Sequence, residues 1–178
     1  MENITLIHGF VLAVLFVSVF TDLKSQRISN ALTLPMWPVG ILWHAVLSSD
    51  PWYFGLLGFA VAFPLHFLLW FIGLDKGGDA KLMIGIGACL GWVTMLEATI
   101  WAILAMLPVG LVFVTLRGKL GNFWRSVKYL FMTPYYKAMK LDPGPQPEQT
   151  YMPKAPVIAI ATVLAITTNL VSVYVIGW

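Results

Sequence analysis

Asp22 follows directly on one long apolar run of this chain and Asp79 directly precedes another. A carboxylate at the centre of a membrane helix costs about 2.5 to 3.5 kcal/mol, and less near an interface, so aspartates at the ends of apolar runs are functional candidates. Two carboxyl groups held close do not both ionise readily. One then takes a proton from water while its protonated partner polarises a carbonyl, which is the chemistry of peptide hydrolysis by a carboxylate pair, with no metal and no cofactor required. Such a pair titrates as a unit, and the sequence does not say which member is acid and which is base. Each aspartate is followed two positions later by a lysine, Lys24 and Lys81. Helical positions i and i+2 do not face each other, so these lysines are expected to reach toward headgroups rather than to neutralise the aspartates.

The elements that must position the pair are membrane helices. Of 178 residues, 59% are hydrophobic and 11% charged, against roughly 25% charged in a soluble domain. The expected fold is all-α, a single polytopic membrane domain over 1–178 with six spans near 4–21, 31–47, 54–74, 82–96, 98–116 and 155–176. The fourth is short, about 22 Å at 1.5 Å per residue, and is expected to begin inside the protein. Lys24, Arg27, Lys76 and Lys81 fall in the first and third connections, and the loop 117–154 carries the other seven basic residues. The opposite side carries Glu2, Asp50 and Glu97 and no Lys or Arg. The positive-inside rule therefore puts the basic loops in the cytoplasm and both termini outside. It also delivers Asp22 and Asp79 to one cytoplasmic edge.

Within the long loop, Phe123, Trp124, Val127, Leu130 and Phe131 alternate with Arg125 and Lys128, the pattern of a helix lying in the headgroups over 121–132. The stretch 141–147 is too rich in Pro and Gly for helix and reads as an extended linker. A net charge of +3 spread over loops gives no reason to expect nucleic acid as a partner. The acidic start and the lack of a small-residue cleavage pattern read as a retained first span rather than a signal peptide. The single cysteine, Cys89, allows no disulfide within the chain and reads as a packed residue. Asp75, four positions before Asp79, is a rival for the second carboxylate. His66 falls mid-span after Pro64, open to a proton relay and to a hydrogen-bonded packing role. Gly87 and Gly91 form a small-xxx-small pair suited to close helix approach. Glu97 reads as an outer loop residue. Gly77 and Gly78 supply backbone freedom before Asp79, either for a turn or for admitting a substrate strand.

The two aspartate stretches resemble the signatures of the type IV prepilin peptidase family. Asp22, Lys24, Arg27, Ile28 and Asn30 match an Asp with a basic loop ending in Ile-x-Asn; Gly78, Asp79, Lys81 and Leu82 match Gly-x-Gly-Asp-x-Lys. Lys76 stands where the first Gly of that motif is expected, with Gly77 beside it, and Ser29 where many members have Pro. Pro156 at the start of the last span is also similar to the family's final helix. The resemblance implies an intramembrane aspartic endopeptidase of the bacterial inner membrane. Asp22 and Asp79 would be its catalytic groups, with Lys24, Asn30, Gly77, Gly78 and Lys81 in support. Its substrate would be a type IV prepilin or pseudopilin precursor cleaved at the cytoplasmic membrane edge. The short chain is similar to the peptidases of Flp (Tad) pilus systems, and the amino-terminal Cys-motif domain linked to methylation in long members has no counterpart, so methyl transfer is not implied. Membrane lipid is the other expected partner. The competing class is a non-enzymatic transporter or pilus-assembly subunit that uses the aspartates as proton or cation sites; inverted repeats would favour transport, and none is evident beyond the two Asp-x-Lys stretches.

Overall fold

The computed structural model describes residues 6–72, 75–116, 121, 139 and 154–168. These are helical, with no strand among the described residues: α1 (Leu6–Ser25), α2 (Asn30–Val46), α3 (Phe54–Phe71), α4 (Gly77–Leu116) and α5 (Ala155–Thr168). The chain divides into two compact units, Met1–Ala105 with Pro153–Trp178, and Met106–Met152. The second unit is described only by the last turns of α4 and by the isolated Gly121 and Met139. The interfacial helix expected over 121–132 and the linker at 141–147 thus lie outside the described residues, Gly121 excepted.

Among the described residues, three helices are long and apolar enough to cross a membrane: α1, α3 and the stretch Gly77–Val112 of α4. Each is apolar nearly all round, as a helix facing both lipid and protein must be. In α1, Phe16, Phe20 and Leu23 are exposed, while Ile7, Val11, Val14, Leu15, Ser18 and Asp22 are buried. Those buried positions follow the helical repeat, so the inward stripe of α1 ends on the aspartate. α2 buries Thr33, Met36, Gly40 and His44, and α3 buries Gly55, Gly58, Ala62 and His66. Both therefore turn a glycine and, further along, a histidine inward, and α3 adds a second glycine and an alanine. α2 packs against α3 and α1, and α1 against α5.

The expected fourth and fifth spans form one element of 40 residues, broken where Gly91 adopts φ 84° and ψ 167°. At 1.5 Å per residue the segments 77–90 and 92–116 are about 21 and 38 Å long, on either side of the roughly 30 Å hydrocarbon thickness. The segment 82–90 is buried on every side, in keeping with a short helix that begins inside the protein. Glycines let its neighbours reach it. A Cβ on Gly40 would meet the Ala88 backbone at 2.6 Å, and one on Gly58 would run into the carbonyl of Gly87. A Cβ on Gly87 would come within 2.7 Å of that of Ala62.

Two expectations need correction. The break lies at Gly91, not near Glu97, and Glu97 is a buried helical residue rather than an outer loop residue, 2% exposed. Composition located the change of segment from the isolated charge, whereas the positive φ, which only glycine takes up without penalty, decides it. Asp79 was expected ahead of its helix, yet α4 begins at Gly77 and holds Asp79 in its first turn. Hydrophobicity marks where a helix enters an apolar environment, not where its hydrogen bonding starts.

Candidate active site

Asp22 reaches the site from the last turn of α1. Beyond it the helix ends as Gln26 turns to φ 57° and donates its N–H to the carbonyl of Asp22 at 2.9 Å, an αL-type cap. Ser29, extended at ψ 132°, caps α2 by accepting from the Ala31 N–H at 3.2 Å. Ser serves well at this position because a hydroxyl satisfies a helix-start donor. The turn between the two caps holds Ile28 against the other motif.

That other motif is the start of α4. Lys76 is the residue before the helix, and its carbonyl accepts the Ala80 N–H at 3.0 Å. The Asp79 carboxylate, three residues in, accepts a hydrogen bond from the Lys76 backbone. The second bond is the N3-to-N-cap half of a capping box, made with Asp; the lysine side chain has no acceptor to complete it. Positive φ occurs only at Gln26 and Gly91 among the described residues. Lysine thus fits at position 76 without strain, and the glycine expected there is not demanded by the backbone. Gly78 is needed for closeness rather than flexibility, because a Cβ on it would lie 3.1 Å from the Ile28 Cβ. Gly77 has more room, its Cβ position being 3.7 Å from the Trp70 indole nitrogen.

The two motif stretches therefore touch. Lys81 Nζ donates to Asn30 Oδ1 at 2.9 Å and the Lys81 carbonyl accepts from Trp37 Nε1 at 3.1 Å. This corrects the expectation that Lys81 extends to the headgroups: a fixed amide acceptor lies within reach. Lys24 is exposed and no described contact ties it to the aspartates.

Asp22 and Asp79 are each 3% exposed. Asp22 Oδ2 accepts the backbone N–H of Ala155, the first residue of α5, at 3.0 Å. A helix start leaves its first N–H groups without internal partners and concentrates positive potential, so it is a favourable seat for a carboxylate. Asp79 lies close enough to Lys154, Asp75 and Asp22 for their charges to act on it, and its Oδ2 has no hydrogen-bond partner among the described residues. A buried carboxylate oxygen left unpaired is costly and marks a position where a substrate or water could bind. Lys76, at the mouth of this cluster, is partly desolvated, which lowers its pKa from the usual lysine value, while the charges of Asp79 and Asp22 act to raise it.

Asp75 is differently employed. Its Oδ2 accepts from His66 Nδ1 at 3.0 Å and its Oδ1 lies 3.6 Å from Lys154 Nζ. With both oxygens engaged it is a poor rival to Asp79. His66 is 1% exposed, and its Nε2 lies 3.2 Å from Thr99 Oγ1, which is 2.8 Å from the Met95 carbonyl. Sequence reasoning did not connect His66, Asp75, Lys154 and Ala155 to the aspartates. The signal available was Lys154 directly before Ala155-Pro156, a cation at the mouth of the last apolar run.

A sequence model of the type IV leader peptidase family matches residues 9–118, which contain both aspartates and both motif stretches. A prepilin peptidase, EppA, of Methanothermobacter thermautotrophicus is 34% identical over 80 residues, 42% of this chain and 21% of that protein. A preflagellin peptidase of Methanocaldococcus jannaschii is 33% identical over 81 residues, 43% of this chain and 34% of that protein. The chain thus matches only about a fifth to a third of the length of these relatives. No solved structure matches significantly. With a match that covers more than half of its length and takes in both aspartate motifs, this helical membrane protein belongs to the type IV leader peptidase family.

Proposed function

We propose that the protein is an intramembrane aspartic endopeptidase that removes the leader peptide from a type IV prepilin, with Asp22 and Asp79 as the catalytic pair. The observation that carries this reading is that two buried carboxylates, far apart in sequence, sit on motif stretches that touch through Lys81 and Asn30 and through Gly78 and Ile28, while Asp79 Oδ2 is left without a described partner. In the reaction, the pair holds one proton between its two members. The ionised carboxylate takes a proton from the attacking water, and the protonated one donates to the scissile carbonyl oxygen as the tetrahedral intermediate forms. Asn30, Lys81, Gly77 and Gly78 shape the wall around Asp79. The names of the two relatives and the family support leader-peptide substrates in general.

The finer assignments belong to the same proposal. The chain crosses the bacterial inner membrane six times as one domain, with both termini outside and the aspartates at the cytoplasmic edge. Its substrates are Flp-type pilin precursors, whose short basic leader before an apolar helix would place the cleavage site there. Co-expression with candidate prepilins tests the reading, with leader loss followed by intact mass. Wild type is expected to process the precursor, and correctly inserted Asp22→Asn and Asp79→Asn are not. Processing by either variant at the wild-type rate rejects the two-aspartate mechanism and returns the transporter or assembly-subunit reading.

A further inference from the structure

Three polar groups beside the aspartate pair have no role in the chemistry above: His66, Asp75 and Lys154. Their positions in the chain are informative. Lys154 immediately precedes Ala155, whose N–H is held by Asp22 at 3.0 Å. Asp75 immediately precedes Lys76, whose backbone is held by Asp79. The ion pair between Lys154 and Asp75, 3.6 Å long, therefore ties the residue before α5 to the loop before α4, and the first turn of each helix caps or carries one of the two aspartates. Asp75 is in turn fixed to α3 by His66, and His66 to the second segment of α4 by Thr99.

An isolated exposed ion pair would contribute at most about 1 kcal/mol and would position nothing. This one is different, because the Lys154 and Asp75 side chains are only 14% and 20% exposed, and the second Asp75 oxygen is occupied by a buried histidine. Buried networks in which each member holds the next fix one geometry among several compact alternatives. Lys154 also places a positive charge near Asp79, opposite in sign to the nearby Asp75 and Asp22.

We propose that Lys154 is a positioning residue of the peptidase: through Asp75, locked in place by His66, it holds the start of α5 on Asp22 and the start of α4, with Asp79, in register with it. The inference rests on the peptidase reading, and it lies in a part of the chain beyond the family match at 9–118.

The test is the cleavage kinetics of the full chain in proteoliposomes with a purified prepilin, for variants that elute and melt like wild type. Misplacing a reacting group by about 1 Å can cost on the order of 100-fold in rate. Lys154→Met is accordingly expected to lower kcat by about 10- to 100-fold with KM within about twofold, and Lys154→Arg to restore kcat to within about threefold of wild type. Asp75→Asn combined with Lys154→Met is expected to be little worse than Lys154→Met alone, because both remove the same tie. A second readout is independent of activity: hydrogen exchange of the amides at the start of α5 is expected to accelerate about tenfold in Lys154→Met and Asp75→Asn. Wild-type kcat in Lys154→Met, an Arg variant as defective as Met, or unchanged exchange at Ala155 would each overturn the proposal. Failure of wild type to cleave, or cleavage by Asp79→Asn, instead counts against the peptidase reading, and the exchange measurement still decides the role of Lys154.

Discussion

Two histidine–aspartate pairs occur among the described residues, and their differences separate a site built for packing from one built around chemistry. His44, on α2, donates through Nε2 to the Cys89 carbonyl at 2.9 Å, and its Nδ1 lies 3.2 Å from Asp50 Oδ2 without hydrogen-bond alignment. Asp50 is 51% exposed and is shared with the Ser48 hydroxyl at 2.6 Å. The break at Gly91 interrupts the helical ladder beside Cys89, and His44 supplies a donor there. His66 is equally buried, but its aspartate is mostly buried too and continues to Lys154, and thence to the helix start that holds Asp22. The first pair ends in solvent; the second ends at the candidate catalytic groups.

The largest effect that can sharpen this contrast is on activity. Asp79→Asn is expected to lower cleavage by at least about 10³-fold, roughly 4 kcal/mol of transition-state stabilisation, with little change in stability. Next is the packing that both pairs depend on. Gly58→Val would drive a side chain into the Gly87 carbonyl, and is expected to destabilise the protein by about 3 kcal/mol or more in unfolding titrations from mixed micelles. His44→Ala leaves a buried carbonyl without its side-chain donor and should cost about 1 to 3 kcal/mol of stability, while kcat per folded molecule stays at the wild-type value. If His44→Ala instead lowered kcat as strongly as Lys154→Met, the division between the two pairs would be wrong. Smallest is Lys76→Gly, which restores the motif glycine. Its cap is made by the backbone, so a stability change of only a few tenths of a kcal/mol is expected, with activity within about twofold.

Much of this was legible from the chain because the bilayer imposes simple rules. The ends of apolar runs located Asp22 and Asp79 and placed both near helix termini, and the order Asp-x-Lys picked out the two stretches that meet through Ile28, Gly78, Asn30 and Lys81. The short fourth segment and its small residues also announced a crowded helix, as the approaches at Gly58, Ala62 and Gly87 bear out. What hydrophobicity could not convey was hydrogen bonding. It set the start of α4 at the first apolar residue and missed the capping turn that holds Asp79. It read Glu97 as a loop because charge usually marks one, whereas the backbone break belongs to Gly91. Lys154 was absorbed into the positive-inside pattern, since the rule that orients a membrane protein gives every basic residue a topological reason and so hides one with a second partner. Asp75 differs from Asp79 by contacts that only the fold creates.

The central claim is that Asp22 acts with Asp79, and not with Asp75. Single-turnover cleavage of a purified prepilin by the reconstituted protein tests it most directly, comparing Asp22→Asn, Asp79→Asn and Asp75→Asn at equal folded concentration. Asp22→Asn and Asp79→Asn are expected to give no measurable first turnover, and Asp75→Asn a slowed but complete one. Complete turnover by Asp79→Asn, with none by Asp75→Asn, would contradict it.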